Sequence, residues 1–105
     1  SPTPDMKRAG LALIPEDAAV SASYYLVPQL THRREIYEYP NPWSPANWGV
    51  RGEGTVDPAS IDYLAIDTGL TGEHAERYRN LTGPDGEFRV IWSDVGVEIA
   101  ERIRP

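Results

Sequence analysis

Serine, histidine and aspartate residues of this sequence are the residue types of a hydrolytic site. In such a site a histidine takes the proton of a serine nucleophile and an aspartate orients the histidine. Ser23, His32 and Asp67 define this hypothesis. Neither Ser21 nor Ser23 lies in a GxSxG motif, which marks the nucleophile of α/β-hydrolases. A small hydrolase is therefore only an alternative, and we expect no catalytic residues in this chain.

The same aspartate could bind zinc together with the two histidines of the chain, His32 and His74, if the fold brought all three together. The three residues show no metal-ligand spacing, and the chain contains no cysteine. His32 is expected near a helix C-terminus and His74 at an exposed helix position, where these side chains have ordinary structural roles. No glycine-rich phosphate-binding motif follows a strand. We expect no metal and no cofactor.

Tyrosine and tryptophan residues between positions 37 and 48 suggest a second kind of site. Tyr37 and Tyr39 alternate along a predicted strand and share one face, and Trp43 and Trp48 follow in a proline-rich segment. Exposed aromatic rings are stacking surfaces for carbohydrates, so a carbohydrate or cell-wall binding module is another alternative. The competing interpretation is that both tryptophans fold inward and anchor a long loop. The sequence favours the anchor.

Ligands of open α/β sheets bind beyond the carboxyl ends of parallel strands, where several polar residues are predicted to lie. They are Ser21, Ser23, Asn41, Asp67 and Thr68. We place any ligand site at this edge of the sheet. Its candidate residues are Ser23, His32, Asn41, Trp43, Trp48 and Asp67. An aspartate before Thr68 and Gly69 also suits a strand-to-turn transition, because its carboxylate accepts hydrogen bonds from the following amides. The sequence favours this structural role for Asp67.

Composition and charge predict one acidic domain. The 105 residues suffice for a single core of two packed layers. With 16 acidic and 10 basic residues, the net charge of −6 would repel a phosphate backbone, so we expect no nucleic-acid partner. No apolar run approaches the roughly 20 residues of a membrane-spanning helix. The sequence begins with Ser1 rather than methionine, and we expect it to be part of a longer protein.

Periodicity and turn residues predict a small α/β sandwich, with a mixed, mostly parallel sheet of about five strands and a C-terminal antiparallel β-hairpin. The predicted elements are a helix 4–13, a strand around Val20 and Ala22, a helix 24–31, a strand 35–39, a loop 41–60 with a helical turn after Asp57, a strand within 61–69, a helix capped by Thr71 that ends at Gly83, and a hairpin with a left-handed residue at Gly96. In the hairpin, alternation predicts that Phe88, Val90 and Trp92 share one face, followed after the turn by Val97 and Ile99.

Several blocks of the sequence together resemble a known family. They are "LALIPEDAAVSASYYLVPQLTHRREIYEYPNPW", "WG", "IDYLAIDT" and "FRVIWSDVGVEIAER". These blocks are similar to the C-terminal soluble region of a family of predicted bacterial multi-spanning membrane proteins of unknown function, related to the glycosyltransferase-C superfamily. The likeness runs from Leu11 to Arg102 and is most specific between Ile14 and Trp43. Gln29 stands where the family pattern usually has a histidine, which argues against chemistry at position 29.

The resemblance implies an extracytoplasmic domain that follows the last membrane helix of a polytopic protein in the cell membrane. Its expected partners are the membrane-embedded part of the same chain and a glycan or lipid-linked sugar. In glycosyltransferase-C relatives the catalytic acid lies in loops between membrane helices, which this sequence lacks. The resemblance therefore implies a non-catalytic domain.

Overall fold

The structure, a computed structural model, describes residues 9–23, 26, 30, 35–39, 43, 57–94 and 96–103. Three of the candidate site residues, His32, Asn41 and Trp48, lie outside these ranges. The first part of the predicted helix 4–13, most of the predicted helix 24–31 and most of the loop 41–60 also lie outside them.

Five strands form one mixed sheet. They are β1 (Ala19–Ala22), β2 (Glu35–Glu38), β3 (Tyr63–Asp67), β4 (Phe88–Asp94) and β5 (Val97–Arg102). The order across the sheet is β2-β1-β3-β5-β4; β1 is parallel to both β2 and β3, and β5 is antiparallel to both β3 and β4. The predicted α/β fold with its C-terminal hairpin is confirmed.

The central strand β3 is covered on both sides of the sheet, which explains its near-continuous apolar sequence. Leu64, Ala65 and Ile66 are fully buried. Ala65 belongs to the first core face, which consists of Leu11, Ile14, Ala18, Val20, Ala22, Leu26, Leu30, Ala65, Val97 and Ile99. Leu64 and Ile66 belong to the second core face, which consists of Ala19, Tyr39, Ile61, Leu64, Ile66, Tyr78, Phe88 and Ala100. Two separate apolar layers therefore hold the sheet.

The chain segments between the strands cover different faces. Leu26 and Leu30, from the connection between β1 and β2, are fully buried in the first core face. Trp43, from the connection between β2 and β3, packs against the second core face. The helix Gly72–Thr82, which follows β3, also covers the second face through Tyr78. Leu26 and Leu30, which follow β1, and the helix that follows β3 thus lie on opposite sides of the sheet.

Turn and cap residues behave largely as predicted. Asp57 caps a 3-10 turn over Pro58–Ser60, and its carboxylate accepts a hydrogen bond from the Ala59 amide at 2.9 Å. The helix Gly72–Thr82 ends at Gly83, as expected. Thr71 occupies the N-cap position, as predicted, although its side chain makes no capping hydrogen bond. No helix within the described ranges is long and apolar enough to cross a membrane.

The hairpin differs from its predicted alternation at one point. Gly96 adopts the left-handed conformation, with φ of 81°, as predicted. The pairing between β4 and β5 shifts register between Val90 and Trp92, because one extra residue of β4 is inserted there. Phe88 therefore lies in the second core face while Trp92 packs against the first. The expectation that these two rings share a face is wrong, since the bulge reverses the alternation of side chains.

Close contact between the N-terminal helical segment and the hairpin gives a testable prediction. Residues 9–11 are helical, and a Cβ atom on Gly10 would lie 2.6 Å from the Trp92 indole carbon Cε3. We expect Gly10→Ala to lower the free energy of unfolding by about 1–2 kcal/mol, because the overlap outweighs the gain of roughly 1 kcal/mol in helix propensity. Urea unfolding measures this change. In a Trp92→Leu background the same substitution should be neutral or stabilising; equal effects in both backgrounds would contradict the contact.

Candidate functional site at the carboxyl ends of β1 and β3

Neighbouring strands β1 and β3 end at a place where α/β sheets commonly bind ligands. The two strands are parallel, and the described residues that follow them, Leu26 and Leu30 after β1 and the helix Gly72–Thr82 after β3, pack on opposite faces of the sheet. Such a divergence leaves a crevice beyond the carboxyl ends of the two strands. Ser23 directly follows β1, and Asp67 is the last residue of β3. The predicted ligand edge of the sheet is thus formed by two of the candidate residues.

Three hydrogen bonds hold the chain at the end of β3. The Ser23 hydroxyl oxygen accepts a hydrogen bond from the Asp67 amide at 2.8 Å. The Asp67 carboxylate oxygen Oδ1 accepts one from the Gly69 amide at 2.9 Å. The Thr68 amide donates to the Gly96 carbonyl in the hairpin turn, also at 2.9 Å. Residues 67–69 are therefore fixed by β1, by the aspartate itself and by the hairpin.

The contact between Ser23 and Asp67 joins a hydroxyl to a backbone amide and not to the carboxylate. Ser23 is buried, and its hydroxyl supplies the amide of Asp67 with a hydrogen-bond partner. Asp67 in turn stabilises its own turn, which is the structural role that the sequence favours for it. Ser23 and Asp67, the two described members of the proposed Ser23, His32 and Asp67 triad, therefore both accept hydrogen bonds from backbone amides.

A cavity of about 290 Å³ opens beside Asp67, between the helix Gly72–Thr82 and the ends of β3 and β5. We call it the strand-end cavity. Its walls are Asp67, Thr68, Leu70, Ala75, Tyr78, Arg79, Thr82 and Glu98. It combines two carboxylates, a guanidinium group and an apolar side, a mixture typical of small-molecule sites.

A hydrogen-bonded network forms one wall of the strand-end cavity. The Tyr78 hydroxyl donates to Glu98 Oε1 at 2.9 Å, and the Ser93 hydroxyl donates to Glu98 Oε2 at 3.1 Å. Burial, together with the hydrogen bond to the Glu98 carboxylate, raises the pKa of Tyr78 far above its usual value. Tyr78 therefore keeps its proton and holds Glu98 in one position.

Sequence analysis did not single out Tyr78, Arg79 or Glu98 as site residues. Placing the hairpin turn at Gly96 pairs Ser93 with Glu98 across β4 and β5, so one contact of the network could have been found from the turn alone. The contact between Tyr78 and Glu98 could not be predicted from the neighbouring sequence, because it depends on how the helix packs on the sheet.

The aromatic residues that the sequence proposed for carbohydrate binding pack against the second core face. Tyr39 is buried, and Trp43 is half-buried with its ring centroid 6.3 Å from that of Tyr39 and 6.0 Å from that of Phe88. Tyr37, on the same face, is half-buried. The packing of Trp43 agrees with the anchor interpretation.

Tyr39 also joins β2 to the helix Gly72–Thr82. Its hydroxyl donates to the His74 carbonyl at 2.8 Å, and its ring meets the imidazole of His74 edge-on. Burial raises the pKa of Tyr39 to about 12. His74 thus lies against an aromatic ring, and within the described ranges no three His, Cys, Asp or Glu side chains are grouped to hold a metal ion.

A larger groove of about 540 Å³ lies at the opposite end of β3. Arg89 donates to Glu101 Oε1 from Nε at 3.0 Å and from Nη2 at 2.6 Å. Asp62 accepts a hydrogen bond from the Ala19 amide at 3.1 Å. These charged groups thus bind one another or the backbone. The groove also lies at the amino ends of β1 and β3, whereas ligands of α/β sheets commonly bind at the carboxyl ends. It is therefore a weaker candidate than the strand-end cavity.

In comparisons with known proteins, no family model, no curated protein and no solved structure matches the chain. The family resemblance noted from the sequence therefore stays a prediction.

The buried bond between Ser23 and Asp67 predicts a measurable loss of stability. Ser23→Ala leaves the amide of Asp67 without its acceptor, which should lower the free energy of unfolding by about 1–3 kcal/mol. Chemical denaturation measures the change, and amide hydrogen exchange at Asp67 should accelerate. Ser60→Ala is the matched control: Ser60 is exposed, so the expected change is within about 0.5 kcal/mol. Equal effects of the two substitutions would show that the bond contributes nothing.

The free energy of unfolding should also decrease at alkaline pH because of Tyr39. In the unfolded chain a tyrosine ionises near pH 10, whereas folded Tyr39 holds its proton until about pH 12. The folded state therefore binds more protons in this interval, and the free energy of unfolding decreases as pH rises from about 10 to about 12. Urea unfolding across this range measures the slope. Tyr39→Phe should lower stability at neutral pH yet flatten the alkaline slope; an unchanged slope would contradict the assignment.

Proposed function

We propose that the chain is a non-catalytic extracytoplasmic domain of a polytopic membrane protein, which packs on the membrane-embedded part of the same chain. The observation that carries the non-catalytic part is the use of Ser23 and Asp67. Both side chains accept hydrogen bonds from backbone amides at the end of β3 and thereby stabilise the fold. Groups committed to the backbone in this way favour a binding or structural role over nucleophilic catalysis.

The membrane context is supported by the resemblance of residues 11–102 to the soluble region of a multi-spanning family. Leu11 and Ile14, in and just after the N-terminal helical segment, are buried in the first core face. In this proposal the chain passes from the last membrane helix into that segment, which joins the domain firmly to what precedes it. The domain would then assist a glycosyltransferase-like membrane region by shaping the access of a glycan or lipid-linked sugar.

The two alternative functions are less well supported by the contacts. The rings of Tyr39 and Trp43 are engaged with one another and with Phe88, which reduces the aromatic surface that they offer to a sugar. A hydrolase would need a base at Ser23, and the Ser23 hydroxyl is buried against the Asp67 amide. Tryptophan fluorescence titrated with glycans and an ester-hydrolysis assay test these alternatives directly.

The proposal predicts the topology of the intact protein. The reading frame upstream of the Ser1 codon should encode several apolar segments of roughly 20 residues. A phosphatase reporter that is active only outside the cytoplasm, fused after Pro105 in the full-length protein, should be active. The matched control is a cytoplasm-active reporter at the same position, which should be silent. A short reading frame without apolar segments, or the reverse pattern of reporter activity, would overturn the proposal.

A further inference from the structure

Asp67, in the wall of the strand-end cavity, is a hydrogen-bond acceptor that the fold holds in place. Residues 67–69 are held by the hydrogen bonds to Ser23, within the turn and to the hairpin. The Gly69 amide occupies Oδ1 of Asp67, and no described residue donates a hydrogen bond to Oδ2. An ionised carboxylate oxygen can only accept hydrogen bonds, so Oδ2 is suited to a ligand group that donates.

A second acceptor in the cavity is the Glu98 carboxylate. Tyr78 and Ser93 hold its two oxygens, one each. Each carboxylate oxygen has about two lone-pair sites, so Glu98 can still accept from a ligand after both bonds are made. Asp67 and Glu98 together supply two negative charges that are positioned by the fold.

The opposite charge in the cavity comes from Arg79. Its guanidinium group forms no salt bridge with any carboxylate among the described residues, although Asp67 and Glu98 line the same cavity. A guanidinium group can bind a carboxylate through two parallel hydrogen bonds. Residues of opposite charge thus line one cavity without an ion pair between them, and a ligand that carries both charges can pair with both.

Shape and polarity limit the ligand further. Leu70, Ala75 and the ring of Tyr78 provide an apolar side, and the volume of about 290 Å³ is at the small end of ligand pockets. A short carbon skeleton that bears an ammonium group and a carboxylate has the required donors, acceptors and size. Two carboxylates against one guanidinium group disfavour a ligand with an extra negative charge.

We propose that the strand-end cavity binds a free α-amino acid with a neutral or basic side chain. The ammonium group of the ligand donates to Asp67 and Glu98, and its carboxylate accepts from Arg79. Ser23 is a positioning residue, since it holds the amide of Asp67. This inference does not rest on the membrane context, because it follows from the cavity alone.

The test is a titration of the isotope-labelled 105-residue chain, followed by NMR, with glycine, leucine, lysine and glutamate. Glycine, leucine and lysine should shift the amide signals of Thr68, Gly69 and Arg79 in a saturable way, and glutamate should bind more weakly. Acetate, methylamine and glycerol are control ligands that carry one charge or none, and each should bind at least about tenfold more weakly than glycine.

Two substitutions localise the binding. Asp67→Asn keeps the acceptor for the Gly69 amide but removes the charge, and Arg79→Gln removes the guanidinium group; each should weaken binding by about tenfold or more. Matched controls are Asp85→Asn and Arg89→Gln, which change exposed residues outside this cavity and should bind as the unchanged chain does. The retained folds of Asp67→Asn and Arg79→Gln are checked by their unperturbed spectra elsewhere.

Four results would overturn the inference. The first three are the absence of saturable shifts with glycine, leucine and lysine, binding of acetate or methylamine that equals binding of glycine, and unchanged binding in both Asp67→Asn and Arg79→Gln. Preferential binding of glycerol or of sugars at the same signals would assign the cavity to polyols and would also overturn it. None of these results bears on the reporter experiment, so the two proposals fail separately.

Discussion

Burial of β3 on both faces is the constraint from which the rest of the structure follows. A strand whose Leu64, Ala65 and Ile66 are all inaccessible to water needs an apolar layer on each side of the sheet. Among the described residues, Leu26 and Leu30, which follow β1, meet this need on one face, and Trp43 and the helix Gly72–Thr82 meet it on the other. The strand-end cavity lies between the helix Gly72–Thr82 and the ends of β3 and β5. The candidate site thus depends on the same packing of the helix on the sheet that builds the second core face.

Asp67 combines a role in the fold with the role in ligand binding that we propose for it. One carboxylate oxygen of Asp67 completes the turn after β3, and the residue lines the strand-end cavity. The hydrogen bond from the Gly69 amide fixes the position of the carboxylate. A binding group prepared in this way loses little further freedom when a ligand arrives. Structural and functional interpretations of this aspartate are therefore compatible.

Much of the fold could be predicted from local sequence, and much of the site could not. The apolar run of β3, Gly83 after the helix and Gly96 in the hairpin are features of short segments, and each is confirmed. Ser23 and Asp67 are 44 residues apart, and their contact depends on the register between β1 and β3. Register and helix placement are set by packing of the whole sheet, for which no short segment carries a signal. For this reason the wall of the strand-end cavity around Tyr78 and Glu98 could not be predicted from the sequence.

The inserted residue in β4 has a consequence beyond the placement of Trp92. β4 is an outer strand of the sheet, and outer strands offer unpaired amides and carbonyls to other chains. The bulge breaks the regular spacing of those groups midway along the strand, and Arg89 and Asp94 add charge on either side of it. A neighbouring molecule cannot add a full-length strand in register there. The irregularity that lets one hairpin fill both apolar layers thus also disfavours strand addition along β4.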